Sequence, residues 1–260
     1  MALSINATSW WGCHDTGSGG NASDDVGAAT LTNTRVDSTA GVIGQAAYFA
    51  PNGLGSLSRS DLVVSAAPLS FCCWAMLSAI ADHGLLGQFA TLGTTELERQ
   101  LLFAADDGTL GFGAATGGTY AAGVPIHLVG TNDGATSKLY VNSVLVASAA
   151  EVMLFAGTSP TMVIGRRRQQ GQLDEKWVQL AGIFAGVLTD GGASVGQAAA
   201  AGSDVALLYN RGGGLDYPFD IEADREGDIV IASLSVSARV TATLSVAPRV
   251  TATLSIENDA

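Results

Sequence analysis

Short apolar runs bounded by Gly, Pro, Asn or Asp recur along most of this chain, and this pattern constrains the fold more than any other feature. The runs cover residues 44–50, 69–77, 99–106, 110–115, 126–132, 137–149 and 161–167. Runs of this length at regular spacing predict an antiparallel β-sandwich. The chain has 260 residues, of which 47% are hydrophobic, and this is enough to bury a sizeable core.

Two local patterns refine this prediction. Residues 137–149 alternate in polarity on both sides of Asn142-Ser143, which predicts a β-hairpin with its turn at that pair. Residues 194–214 are rich in Ala and Gly, and within them residues 204–210 predict one or two helical turns that end at a glycine C-cap. We expect this short helix to cover one end of the sandwich.

The charge of the chain limits its partners. The formal net charge is −12 at pH 7, so the surface repels phosphate groups, and neither nucleic acid nor an anionic membrane is an expected partner. No apolar run reaches transmembrane length. Residues 1–17 lack the basic and apolar regions of a secretory signal. We therefore expect a protein that is made in the cytoplasm and does not insert into a membrane.

The cysteines do not form a disulfide framework. There are three, Cys13, Cys72 and Cys73, and an odd number with two adjacent members does not suit paired bridges. Neighbouring residues of a strand face opposite sides, so we predict buried thiols that act as small apolar groups. The three histidines are far apart in the sequence, so no zinc-binding spacing is present.

The C-terminal part of the chain is repetitive. An acidic stretch at 220–228 precedes three similar segments, 229–236, 239–246 and 249–256, with a period of ten residues. Each segment alternates as a strand with two faces, and three such strands are too few to fold alone. We predict a tail, residues 229–260, that anchors or oligomerises the protein; the alternative is a meander packed on its own domain.

An ordered series of motifs across residues 8–219 resembles the laminin-G-like, concanavalin A-like lectin-glucanase domains of bacterial and phage surface proteins. The matching motifs are WWGCHD (10–15), SGGNASDDVG (18–27), GVIGQAAYF (41–49), LSFCCWAML (69–77), IHLVGTNDG (126–134), LYVNSVLVAS (139–148), IGRR (164–167) and ALLYNRGGGLDYP (206–218). The resemblance implies an all-β, antiparallel jelly-roll sandwich over residues 1–219. This fold carries binding modules, enzymes and structural modules alike, so the resemblance alone does not decide the function.

One departure from the family concerns metal binding. The resemblance implies an acidic strand near residue 180, but Gln179 and Leu180 occupy the acidic positions here. A hard cation such as calcium needs several converging oxygen ligands, and no other acidic cluster is evident in the sequence. We therefore expect no cofactor and no metal, with calcium at this altered position as the one candidate.

Candidate ligand-binding residues fall into two groups. Trp10 and Trp11 are candidates for a sugar-stacking platform, and the alternative is that they are core residues. Trp74 alternates with apolar neighbours and is predicted to be core. The second group lies in turns at the rim of a sandwich, where ligands often bind, although these residues are turn-formers first. It comprises Asp106, Asp107, Asn132 and Asp133.

Catalysis is not expected. Glycosidases use two carboxylates across the scissile bond, and the nearest candidates are Glu96 and Glu98, which share a face if the segment is extended. No third acidic residue follows at the next alternate position, so we interpret the pair as solvent-facing. Basic residues suggest subunit contacts instead, the alternative being a solvated loop. The candidates are Arg166, Arg167, Arg168, Arg239 and Arg249.

These patterns together predict a non-enzymatic surface protein of a tailed-phage virion, either a capsid or tail decoration or an adhesin. Its expected partners are other virion structural proteins and cell-surface glycans. Residues 229–260 are expected to make it a homo-oligomer, with a trimer favoured. The alternatives are a glycan-binding module of a bacterial surface or cytoplasmic protein, a purely structural interaction module, and a glycan hydrolase.

Overall fold

A computed structural model describes most of residues 3–214. The described ranges are 3–51, 55–60, 62, 67–89, 98–153, 161–165 and 175–214. Residues 3–219 form one compact unit. The acidic linker and the repeats lie outside the described ranges, as do Arg166–Arg168, Arg239, Arg249 and Glu96. The hypotheses about the tail and the subunit contacts therefore stay predictions.

The described residues form strands almost throughout. The strands are β1 (Ala7–Trp11), β2 (Thr32–Thr34), β3 (Asp37–Ala40), β4 (Gln45–Phe49), β5 (Ser56–Arg59), β6 (Leu69–Leu77), β7 (His83–Phe89), β8 (Glu98–Ala104), β9 (Thr109–Phe112), β10 (Ala115–Thr119), β11 (Ile126–Asn132), β12 (Thr136–Val141), β13 (Val144–Ala150), β14 (Thr161–Ile164) and β15 (Lys176–Phe184). One α-helix, α1 (Asp204–Tyr209), and two 3-10 turns, Gly17–Gly19 and Asn210–Gly212, complete the described elements.

Two antiparallel sheets face each other across one core, which confirms the predicted all-β jelly-roll sandwich. The first sheet has the order β13-β12-β11-β6-β15-β4-β3, with β1 paired to β15. The second has the order β10-β9-β8-β7-β14-β5-β2. The predicted hairpin turn is present: Asn142 and Ser143 have φ of 49° and 63°, the left-handed values that a tight hairpin turn requires.

Strand β6 shows how the first sheet buries both of its faces. Leu69, Phe71 and Cys73 point into the core between the sheets, whereas Cys72 and Trp74 point outward. The outward residues are also buried, because other chain segments cover that side. All three cysteines are free and buried, as predicted. Burial raises the pKa of both adjacent thiols, so these groups stay protonated at neutral pH.

Helix α1 lies on the outward face of the first sheet, and the prediction that it would cover an end of the sandwich is wrong. The ring of Tyr209 stacks on that of Trp74 with a centroid separation of 5.8 Å. Val205 and Leu208, which belong to the helix, are buried. The helix ends at Asn210 with φ of 45° rather than at the predicted glycine. Asparagine tolerates this left-handed conformation. In the described part of the chain, no helix is long and apolar enough to cross a membrane.

Aromatic rings packed on glycines recur in the sandwich. An added Cβ would lie 2.1 Å from Phe112 at Gly130, 2.0 Å from Phe49 at Gly165, 2.1 Å from Phe103 at Gly111 and 2.5 Å from Trp10 at Gly182. Gly130 and Phe112 belong to different sheets, as do Gly165 and Phe49. These glycines therefore let a ring from the facing sheet pack directly on the backbone.

Candidate functional site

The two N-terminal tryptophans do not form a binding platform. Trp10 and Trp11 are 1% and 0% exposed. The Trp11 Nε1–H donates to the backbone oxygen of Ala29 at 2.9 Å, and the Trp10 ring packs edge-on against Phe184. The hypothesis of sugar stacking is therefore wrong for both rings, since neither presents a face to solvent, and the alternative interpretation as core residues holds.

The turn between β11 and β12 uses its polar groups internally. Asn132 is fully buried, and its Nδ2 donates to Ser137 Oγ at 2.9 Å and to the Glu151 backbone oxygen at 3.1 Å. Asn132 is therefore a structural residue, and the ligand-binding hypothesis is wrong for it. Asp133 is exposed, and hydrogen bonds from the backbone N–H groups of Ala135 and Thr136 lower its pKa. Its ligand-binding role stays a prediction.

The turn between β8 and β9 lies at the opposite end of the sandwich. Asn132 pairs with Leu69, at the start of β6. The other turn follows Ala104, which pairs with His83 just after the loop that leaves the end of β6. Asp106 and Asp107 are exposed there, and hydrogen bonds from Thr109 lower the pKa of Asp107. Four residues that the sequence suggested as one kind of rim site thus belong to two separate ends.

Gln179 explains the altered acidic position. Its Oε1 accepts from the backbone N–H groups of Val42 and Ile43 at 2.8 and 3.2 Å, and its Nε2 donates to the backbone oxygens of Ile43 and Gln45, the latter at 2.7 Å. A carboxylate at this position could accept the two N–H bonds, but it could not donate to the two backbone carbonyls. The amide of Gln179 thus provides both the acceptor and the donor that these backbone groups require. Among the described residues, no cluster of three or more metal-binding side chains exists.

The second sheet carries a partly exposed aromatic ring on its outward face. Leu102 and Ala104 point into the core, so Phe103 between them points outward. Its cross-strand neighbours are Gly84 on β7 and Gly111 on β9, and the row continues to exposed Thr116 on β10. We call Gly84, Phe103, Gly111 and Thr116 the Phe103 surface. Gly84 and Gly111 are both buried, and the Phe103 ring packs on the backbone of Gly111, where an added Cβ would lie 2.1 Å from it.

Sequence reasoning placed Phe103 in a strand but did not single it out. The run contains Leu101 and Leu102, and both point into the core because the register shifts between β7 and β8. This irregularity breaks the alternation that would have assigned Phe103 to the outward face. The available signal was the pair of glycines, Gly84 and Gly111, in neighbouring strand segments. Glu98 begins the same strand, and its proposed partner Glu96 lies outside the described ranges.

Comparison with known families agrees with this architecture. A family model described as the concanavalin A-like lectin/glucanases superfamily matches residues 52–180. The sandwich belongs to this superfamily. The match covers the central strands of the concanavalin A-like domain, including β8, β9 and the Phe103 surface. A search of curated protein sequences found no match to the chain.

Solved structures resemble the concanavalin A-like domain in fold. Domain 4 of the extracellular arabinanase AbnA of Geobacillus stearothermophilus, solved with arabinotriose, has 18% identity and a TM-score of 0.52, over 71% of this chain and 95% of that one. A Trypanosoma rangeli sialidase with sialic acid has 14% identity and a TM-score of 0.51, over 73% and 34%. The binding domain of Paraclostridial Mosquitocidal Protein 1 has 13% identity and a TM-score of 0.55, over 80% and 52%. The chain thus spans about a third of the sialidase and about half of the mosquitocidal binding domain.

Proposed function

We propose that the concanavalin A-like domain is a non-catalytic carbohydrate-binding module and that a saccharide binds at the Phe103 surface. The observation that carries this proposal is the partly exposed Phe103 ring between two cross-strand glycines. Sugar rings have one face of C–H groups, which pack on aromatic rings, while backbone and hydroxyl groups beside the ring bond the sugar hydroxyls. Thr116 supplies such a hydroxyl at the end of the row.

The comparison with the arabinanase domain supports the same substrate class. That domain was solved with arabinotriose, and the present chain aligns with nearly its whole length. It is matched as a separate domain, which favours binding over catalysis in this architecture. A binding module needs no carboxylate pair, and the four residues of the Phe103 surface contain none.

Phe103→Ala is expected to lower saccharide affinity at least tenfold, because the stacking face is lost. Phe103→Tyr keeps the ring and is the matched control, with affinity close to that of the native protein. A glycan array would identify the saccharide, and isothermal titration with arabinotriose or the best array hit would measure the affinities. The proposal fails if no glycan binds or if Phe103→Ala binds as well as Phe103→Tyr.

We further propose that the module is displayed on a virion, as a capsid or tail decoration or an adhesin of a tailed phage. The repeats at 229–260 support this proposal, because the three short strands that their sequence predicts would need a partner surface on which to pack. Mass spectrometry of purified particles is expected to find the protein among the virion components, and its absence from particles would contradict the proposal. A glycan-binding module of a bacterial surface protein is the second candidate, and it shares the Phe103 test.

A further inference from the structure

We propose a second saccharide-binding site on the outward face of the first sheet, formed by Trp74 and His127 beneath the ring of Tyr209. This inference rests on the proposal that the domain binds carbohydrate, and its site is on the opposite sheet from the Phe103 surface. Trp74 on β6 and His127 on β11 are direct cross-strand partners, with ring centroids 5.2 Å apart. Tyr209 lies over both, at 5.8 Å and 6.0 Å, with interplanar angles of 19° and 26°.

Two nitrogen atoms in this cluster lack hydrogen-bond partners. Trp74 Nε1 and His127 Nδ1 are both buried without a partner, in side chains that are only 3% and 2% exposed. Buried polar atoms in folded proteins are almost always satisfied, so each exception requires an explanation. Burial also lowers the pKa of His127 to about 3, so its ring is neutral at pH 7. A bound group that pairs with both nitrogens accounts for the two exceptions together.

The cover over this cluster is the end of helix α1 and the glycine-rich segment that follows it. Tyr209 is partly exposed and is the last residue of α1, and it is followed by Asn210 in the left-handed conformation and by the glycines at 212–214. An added Cβ at Gly214 would lie 3.2 Å from Trp74 Nε1, so the backbone of this buried glycine packs close to the N–H and has to move aside for a ligand to reach it. The proposal therefore includes displacement of the Tyr209 ring from the two rings below it, and partly exposed side chains change rotamer rapidly.

The chemistry of the cluster selects a neutral sugar. A hydroxyl group accepts a hydrogen bond from the indole N–H, and it also donates to or accepts from an imidazole nitrogen, whichever tautomer is present. The flat faces of Trp74, His127 and Tyr209 suit the C–H face of a sugar ring. The indole of Trp74 does not ionise and the ring of His127 is neutral at pH 7, so neither offers a charge to pair with an acidic or basic ligand.

Indole NMR on the full-length protein tests this site directly. The chain has four tryptophans, and the Trp74 indole signal is assigned as the one that disappears in Trp74→Phe. Titration with arabinotriose, cellotriose and N-acetylchitotriose is expected to shift this signal and leave that of Trp11, whose N–H bonds to Ala29, in place. Trp74→Phe keeps an aromatic face but removes the N–H, so we expect affinity at this site to fall about threefold to tenfold. Its thermal unfolding is measured alongside to verify that the variant is folded, because the smaller ring leaves a cavity in a buried position.

The outcomes separate the two proposals. A saccharide that binds with Phe103-dependent affinity but leaves the Trp74 signal unmoved overturns the second site and leaves the proposed function standing. If the Trp11 signal shifts as much as the Trp74 signal, in a pattern like that of denaturation, the sugar acts on the whole fold. That result also overturns the second site. If none of the saccharides, including those on the glycan array, binds at all, the proposed function itself fails and the second site with it.

Discussion

Gly130→Ala is expected to destabilise the domain by about 1–3 kcal/mol, because the new methyl group has no room against Phe112. The added Cβ would lie 2.1 Å from Phe112 Cδ2, far inside contact distance. Gly130 is on β11 in the first sheet and Phe112 is on β9 in the second, so relief of the clash requires a shift of the ring or separation of the sheets. Phe71 packs beside Phe112 with a centroid separation of 6.1 Å and restricts that shift.

A double-mutant cycle tests whether the Phe112 ring causes the loss of stability in Gly130→Ala. In a Phe112→Leu background the ring is gone, so Gly130→Ala meets much less resistance and also removes the conformational freedom of a glycine in the unfolded chain. That second effect stabilises by about 0.4–1 kcal/mol where the backbone conformation is compatible. The cost of Gly130→Ala should therefore fall to near zero or change sign, as measured by urea unfolding of the four proteins. Equal costs in both backgrounds would mean that Phe112 is not what excludes the methyl group.

The parts of the fold that the sequence predicted are those with strong alternation and clear turn residues. Strands β6 and β11 have the predicted bounds, 69–77 and 126–132. The run 110–115 is instead divided between β9 and β10 by a turn at Gly113, whose φ is 56°. Strands β1 to β3, which end at residue 40, were not among the predicted runs, and neither were β5 and β7. The four residues of β3, Asp37–Ala40, have no apolar alternation, and their extended conformation comes from pairing with β4.

The candidate sites were harder to predict than the fold, for physical reasons. The tryptophans looked like binding residues because aromatic side chains suit both cores and sugars, and only burial distinguishes the two roles. Trp74 was correctly placed in a buried position, but its outward direction and its cover by Tyr209 depend on where α1 packs. Phe103 faces outward only because the strand register shifts beside it. Each of these facts is set by contacts between residues that are distant in the sequence.

Asp204→Ala is expected to destabilise the domain by about 3 kcal/mol. Loss of the buried carboxylate leaves several hydrogen-bond donors without an acceptor. Asp204 is 2% exposed and accepts from the Ser4 backbone N–H at 2.6 Å and from the Ser4 hydroxyl. It also accepts from the backbone N–H and the hydroxyl of Thr189 at 2.8 and 2.7 Å. One side chain thus joins the residues before β1, the segment after β15 and the start of α1. Asp133→Ala removes an exposed carboxylate that also accepts two backbone hydrogen bonds, and it should cost less than about 1 kcal/mol.

The pH dependence of the stability provides an independent test of the role of the Asp204 carboxylate. Burial alone would raise the pKa of Asp204, but the hydrogen bonds from Ser4 and Thr189 more than offset this, so its pKa lies below the usual 3.8. A carboxyl group whose pKa is lower in the folded state contributes its full stability above its unfolded pKa, and this contribution is lost as the pH falls through the folded pKa. Asp204→Asn has no such group and should lose less stability than the native protein between about pH 5 and pH 2. Urea unfolding of both proteins across this range measures the difference, and parallel pH profiles would show that Asp204 is not held ionised by Ser4 and Thr189.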